Sequence, residues 1–300
     1  MDFSYGYYQG VCLLSRTLPR RLSYALAVRI ADSFFRRDDA GREAVKANLR
    51  TVLEFRGPVP SGDLISNSAR NTFRYFGKYL VDFFRYSHLS NGQVNRLLHV
   101  EHAEHLETAI SMDRGVLAIS AHIGNWELSG PLLQSMGHRL NAVVLPQSAQ
   151  KVDRLLEKYR LRRGTHVLPL GRGTAVSIVG CLQRKEFVGL MTDRDFTRND
   201  RRVLFFGKPA RLPRGPAFLA MRTGAPILPG FIVRRDDDSF LLRYYPPITA
   251  RNGDSVESLQ AQTCRILEEF ISEYPSQWFT FTDFWRDRES DQAAPAISDA

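Results

Sequence analysis

His122 and Glu127 stand five positions apart in the segment GVLAISAHIGNWE, Gly115 to Glu127, directly after an apolar run. A histidine at the C-terminal end of a buried strand, with a carboxylate close enough to orient it, has the parts of a general base. Open α/β sheets place their ligands at that end of the strands. A neutral imidazole can take a proton from an attacking hydroxyl. An acid on its other nitrogen fixes the tautomer and stabilises the imidazolium that forms. A following helix whose N-terminus points at His122 disfavours imidazolium at rest and keeps the base neutral. By spacing alone an Hx4E pair is a weak signal, because a histidine and an acid that merely cap a helix give the same pattern. Gly124, Asn125 and Trp126 favour the chemical reading: glycine permits close backbone approach, and Asn and Trp are costly to bury idly.

Two further clusters carry charge where a ligand could sit. Thr192-Asp193-Arg194-Asp195-Phe196 follows the apolar strand candidate Phe187–Met191, although a solvated turn reads almost as well. Lys208, Arg211 and Arg214 precede Gly215, which opens a helix pattern, a combination suited to an anion or phosphate. The chain has no GxGxxG fingerprint, no Walker loop and no GxSxG nucleophile elbow, which weighs against a serine hydrolase.

These residues must be held by elements that the pattern also outlines. The N-terminal part reads as helical, with Tyr7 to Phe35 mixing apolar residues with arginines and broken at Pro19. Such apolar, arginine-rich helices suit a membrane interface or packing on a core equally well. Further helix patterns cover Ala44 to Leu53 and the aromatic-dense Asn71 to Phe84. From about Leu97 short strands alternate with helices, the signature of a mostly parallel sheet. The strands are expected at Val116–Ser120, Asn141–Leu145, His166–Leu170, Phe187–Thr192, Ile227–Val233 and Phe240–Tyr244. Helices are expected at Trp126–Met136, Ala149–Arg163, Thr174–Arg184, Gly215–Thr223 and Ser255–Tyr274. The expected organisation is a helical region over 1–95, an α/β core over 96–286 and a disordered tail over 287–300.

Composition narrows the classes. A hydrophobic share of 43% against 24% charged residues fits a globular protein with a real core. The charge of +9, with paired arginines such as Arg20–Arg21, Arg36–Arg37 and Arg201–Arg202, suits nucleic acid, anionic lipid or an acidic protein partner. Three cysteines far apart give neither a disulfide framework nor a metal-binding spacing. No apolar stretch approaches the roughly 18–20 residues that span a bilayer, and the N-terminus lacks the order of a signal peptide. The expectation is a soluble or peripheral protein in a reducing compartment.

Taken in order, seven segments resemble the bacterial lipid A acyltransferase family, which includes the late lauroyl and myristoyl transferases and the phosphatidylinositol mannoside acyltransferases. They are Asn48-Leu49, His122-Ile-Gly-Asn-Trp-Glu127, Arg160 with Gly164, Asp193-Arg-Asp195, Phe205-Phe-Gly207, Pro213-Arg-Gly-Pro216 and Ala225-Pro-Ile-Leu-Pro229. The resemblance spans roughly residues 40 to 285. It implies an α/β fold of the glycerolipid-acyltransferase kind, with a mostly parallel central sheet flanked by helices and an N-terminal helical region. It also implies that His122 is the base and Glu127 its partner, and that Arg160 and the Asp193–Asp195 segment line the acceptor site. Asp-Arg-Asp and Leu168-Pro-Leu-Gly171 look more like the mannoside branch, whereas Glu127 is the acid of the lipid A enzymes.

The function expected from this is O-acyl transfer from a fatty acyl thioester, on acyl carrier protein or coenzyme A, to a hydroxyl of a glycolipid or lysolipid. No other cofactor and no metal are expected. Asn125, Arg160, Asp193, Arg194, Asp195 and Arg214 are the expected substrate-binding residues. Backbone N–H groups near Gly124–Trp126, or the Asn125 amide, are the expected oxyanion donors. The enzyme is expected to sit peripherally on the cytoplasmic face of the bacterial inner membrane, held by its anionic surface, with no nucleic-acid partner. Two alternatives stay open: a thioesterase-like hydrolase using the same pair, and a non-catalytic basic nucleic-acid-binding protein.

Overall fold

The structure, a computed structural model, describes residues 3–86, 89–146, 150–195 and 201–286. The tail expected to be disordered and Phe196 lie outside these residues. Four helices open the chain: α1 (Phe3–Thr17), α2 (Arg20–Arg37), α3 (Asp39–Arg56) and α4 (Gly62–Tyr86). Pro19 separates the first two because it lacks an N–H and pushes its predecessor out of the helical region. Asp38 divides the next two, its carboxylate accepting the Gly41 N–H at 2.8 Å to cap α3. Helix α4 is the hub against which the others pack. Tyr24 and Ala27 of α2 bury against its Val81, and Ala31, Val45 and Leu49 against its Ala69 and Phe73. The arginine-rich stretch therefore does pack on a core through one face. Elsewhere it leaves Leu13 63% and Leu22 57% exposed.

After α5 (Asn91–Asn95) the chain runs β1 (Leu98–Glu101), α6 (Ala103–Ser111), β2 (Val116–Ser120), a 3-10 turn over Trp126–Leu128 and α7 (Ser129–Ser135). It continues through β3 (Leu140–Val144), α8 (Gln150–Arg162), β4 (Thr165–Pro169), α9 (Thr174–Gln183) and β5 (Phe187–Met191). The hairpin β6 (Val203–Phe205) and β7 (Lys208–Ala210) precedes α10 (Gly215–Thr223), β8 (Ile227–Arg234), β9 (Phe240–Tyr244) and α11 (Val256–Glu273). Seven strands form one sheet in the order β1-β9-β8-β2-β5-β3-β4, parallel throughout except where β8 meets β9. This is the mostly parallel, helix-flanked sheet that the sequence implies. The pattern missed β1, whose apolar–polar alternation lasts only four residues on a mostly exposed strand, and the three-residue strands of the hairpin.

Both faces of the sheet are covered, as parallel strands require. Leu106 of α6 and Leu132 and Leu133 of α7 pack with Val116, Leu140 and Phe187 on one face. On the other, Ile178 and Leu182 of α9 and Ala217 and Ala220 of α10 pack with Leu117, Ile119 and Val188. Helix α11 closes the β8 end, where Leu267 and Phe270 meet Phe231, Val233 and the hairpin's Phe205 and Phe206.

A buried ionic knot joins the helical region to the sheet. Asp82 of α4, fully buried, pairs with Arg234 at the end of β8. Its other oxygen accepts the Tyr24 hydroxyl from α2, and Arg234 also donates to that hydroxyl at 3.2 Å. Removing one member of such a pair strands a buried charge, at a cost of roughly 3–5 kcal/mol. The knot therefore fixes α4 over the edge of the sheet where His122 emerges.

Candidate active site

Strands β2 and β5 lie side by side and in parallel, with Ser120 in register with Met191. Two residues beyond each of those ends stand His122 and Asp193. The alignment continues past the strands, since the Thr192 N–H donates to the Ser120 carbonyl at 2.9 Å. Asp193 then accepts from His122 twice: from its backbone N–H at 3.0 Å on Oδ2 and from ring Nδ1 at 2.8 Å on Oδ1. The Trp278 indole N–H donates to the same Oδ2 at 2.9 Å. Asp193 is fully buried, whereas the His122 side chain is 24% exposed.

Burial alone would raise the Asp193 carboxyl, but the facing His122, its hydrogen bonds and the nearby Arg194 outweigh it and hold the group well below the usual carboxylate range. Ionised Asp193 is an acceptor only, so in the neutral imidazole it is Nδ1 of His122 that carries the proton. Nε2 is then left as the acceptor of a partly exposed ring. The ring also meets the Trp126 indole edge-on, with centroids 5.3 Å apart.

The turn after His122 is held by its own sequence. Gly124 has φ +60°, and a Cβ there would fall 2.0 Å from the Ile232 carbonyl oxygen of β8. Only glycine tolerates both the left-handed backbone and that approach. Its N–H donates to the Gln277 carbonyl at 2.9 Å, and the Asn125 N–H donates to the Ile232 carbonyl at 2.8 Å. The same strap, residues 275–286, crosses the site from behind. The Phe279 N–H donates to the His122 carbonyl at 2.8 Å, and Asn48 of α3 holds the strap through its amide, 3.1 Å from the Thr280 carbonyl and 2.8 Å from that of Thr282.

Several expected roles change place. Glu127 does not hold His122. Its carboxylate accepts from Arg160, at 3.0 and 3.2 Å from Nε and 2.7 Å from Nη2, because the 3-10 turn carries it away from the histidine and towards α8. Arg160 is accordingly neutralised by a partner rather than held open for a phosphate. Asn125 is buried, and its amide nitrogen lies 3.4 Å from Asp82, so it joins the ionic knot. The N–H groups of Gly124 and Asn125 and the Asn125 amide are thus committed within the protein and are not available to an oxyanion.

Arg194, next to Asp193, donates to the Phe279 carbonyl at 2.5 Å and ties the strap down, while Asp195 is the last described residue after β5. Arg214 pairs with Glu257 of α11 and joins none of the bonds around His122. Lys208 donates to Thr51 at 3.0 Å, and the neighbouring Phe205 and Phe206 are core residues rather than part of an anion site.

The profile of the bacterial lipid A biosynthesis acyltransferases matches residues 4–287. The chain belongs to that family. Among curated relatives it is 28% identical over 283 residues to a phosphatidylinositol mannoside acyltransferase of Mycolicibacterium smegmatis, covering 93% of this chain and 90% of that one. It is 25% identical over 274 residues to the lipid A biosynthesis palmitoleoyltransferase of Escherichia coli, covering 90% and 86%. A solved 1-acyl-sn-glycerophosphate acyltransferase from Thermotoga maritima aligns with a TM-score of 0.40 and 14% identity, over 87% of this chain and 99% of that one.

The protein is therefore a lipid acyltransferase of the lipid A and phosphatidylinositol mannoside family. Within this member, sequence reasoning missed Trp278 altogether. The Tyr274-Pro275 pair reads as the end of a helix, but the residues beyond it return to brace the site. The signal was a tryptophan and three phenylalanines within 278–284, too apolar a run for a solvated loop.

Proposed function

We propose that this acyltransferase moves a fatty acyl chain from a thioester to a hydroxyl of a membrane glycolipid or lysolipid, with His122 as general base and Asp193 as its orienting acid. The observation that carries the reading is the His122–Asp193 bond, which leaves Nε2 of the partly exposed ring as its acceptor. Nε2 takes the proton of the acceptor hydroxyl as its oxygen attacks the thioester carbon. The C–O bond forms, the carbonyl electrons move to oxygen, and the tetrahedral intermediate collapses by breaking the C–S bond. The departing thiolate takes the proton back from the imidazolium, giving ester and free thiol. Asp193 stabilises the imidazolium between these steps. The N–H groups of Trp126 and Glu127, which open the 3-10 turn and have no hydrogen-bond partner among the described residues, are the candidate oxyanion donors. The Glu127–Arg160 pair braces that turn.

The acceptor belongs to the lipid A precursor or phosphatidylinositol mannoside class, by analogy with what the relatives' names record. Purified protein incubated with acyl-coenzyme A or acyl-carrier protein, with and without each acceptor, tests this by mass spectrometry of the lipids. The expected result is acyl ester on one acceptor. Free fatty acid released at the same rate with no acceptor would instead make the protein a thioesterase.

We further infer a peripheral seat on the bilayer through α1 and α2. No helix among the described residues is long and apolar enough to cross a membrane. Leu13, Leu14 and Leu22 are nevertheless exposed beside Arg16, Arg20 and Arg21. Flotation with vesicles should show binding to anionic lipid and weaker binding to neutral lipid. Equal, negligible recovery with both would confine these helices to core packing.

A further inference from the structure

A narrow cleft opens between α4, the Trp126–Leu128 turn and the end of α8. It is lined by Asp82, Tyr86, Glu127, Leu128, Arg160 and Arg163 among others, with about 20 Å³ of free space. Arg163 is 7% exposed, and both of its terminal nitrogens, Nη1 and Nη2, are buried without a hydrogen-bond partner. The acids of the cleft cannot serve it. Asp82 is taken by Arg234 and Glu127 by Arg160. Arg160 and Arg234 thus each have a carboxylate, and Arg163 has none. Burial lowers that guanidinium to about 10, so it remains charged at neutral pH.

We propose that Arg163 seats a small oxyanion group of the kind a phosphate presents, either free or on a lipid headgroup. Two adjacent guanidinium N–H groups form the fork that binds two oxygens of one anion side by side. A site for one water-sized group needs roughly 10–15 Å³. The cleft therefore has room for one or two oxygen atoms, but not for a sugar or an acyl chain. A water molecule there would satisfy a donor without offsetting the charge, whereas an anion does both. The site is separate from the His122–Asp193 pair, and its occupancy is readable without any turnover.

The test is thermal unfolding of the full chain against inorganic phosphate at constant ionic strength, repeated with dihexanoyl phosphatidylinositol below its micellar concentration. Wild type should show a saturable rise of about 2–5 °C at roughly ten times the dissociation constant. Arg163→Met should lose that rise, while Arg251→Met, a control far along the chain, keeps it. A rise with inorganic phosphate makes the ligand a free anion. A rise with the lipid alone, again lost in Arg163→Met, places the oxyanion on a headgroup. If neither probe gives a saturable rise in wild type, or if Arg163→Met responds as wild type does, Arg163 is a buried cation and no more. Should Arg163→Met fail to fold, Arg163→Gln, which keeps donors but removes the charge, is read in the same titration against the same criteria.

Discussion

His122→Ala is expected to lose acyl transfer by roughly 10²–10⁴-fold, the usual cost of a positioned base. Its melting temperature should stay close to that of wild type. His122 is partly exposed, and its backbone N–H keeps the bond to Asp193 in the alanine variant. The loss should fall on kcat with little change in the apparent affinity for the thioester, since the imidazole acts on the proton that moves and not on the acyl chain. No acyl-enzyme should accumulate, because direct attack by the acceptor needs no protein nucleophile. Of the three cysteines, Cys181 and Cys264 are buried with their thiols pushed up, the latter to about 12, which suits neither to nucleophilic work. A variant retaining most of its activity, or a trapped acyl group on serine or cysteine, would overturn the assignment.

Asp193→Asn should be about as damaging, with roughly 10²–10⁴-fold lost, and more damaging to kcat than Glu127→Gln. The carboxylate now takes three donors: the His122 backbone, the His122 ring and the Trp278 indole. An amide has one oxygen and an NH2 group in its place. One of those donors must then face another donor, or the ring must present its other tautomer and lose its free Nε2. The pH dependence of stability follows from the depressed Asp193 value. A carboxylate held ionised in the fold contributes stability above its unfolded value of about 4, and that contribution is lost as pH falls towards the folded one. Asp193→Asn should flatten this acid limb.

Glu127→Gln behaves differently because it leaves Arg160 buried beside an uncharged partner, so it should chiefly lower the melting temperature. Side-by-side kinetics and melting curves of the two variants decide the matter. Equal losses of kcat at unchanged melting temperature would return Glu127 to the role its spacing suggests.

The strands and helices of the sheet were legible because each carries a local signal. Val116–Ser120, Gly215–Thr223 and Phe240–Tyr244 end where apolar runs meet glycine, proline or charge, and the structure places them at those boundaries. Gly124 was legible as a close approach, and His122 as the end of a strand, from the residues on either side. What the sequence could not rank was the acid. Glu127 is five residues from His122 and Asp193 seventy-one, so local spacing favours the carboxylate that does not bond the ring. Strand adjacency decides it. β5 enters the sheet beside β2 although β3 and β4 come between them in the chain, and equal overhangs of two residues then bring Asp193 to the imidazole. The same holds for Trp278 on its returning strap, for Arg160 turned onto Glu127, and for Arg163 left without a carboxylate. Side-chain chemistry is written along the chain, but hydrogen bonds act over about 3 Å, and only the packed fold sets which groups come that close.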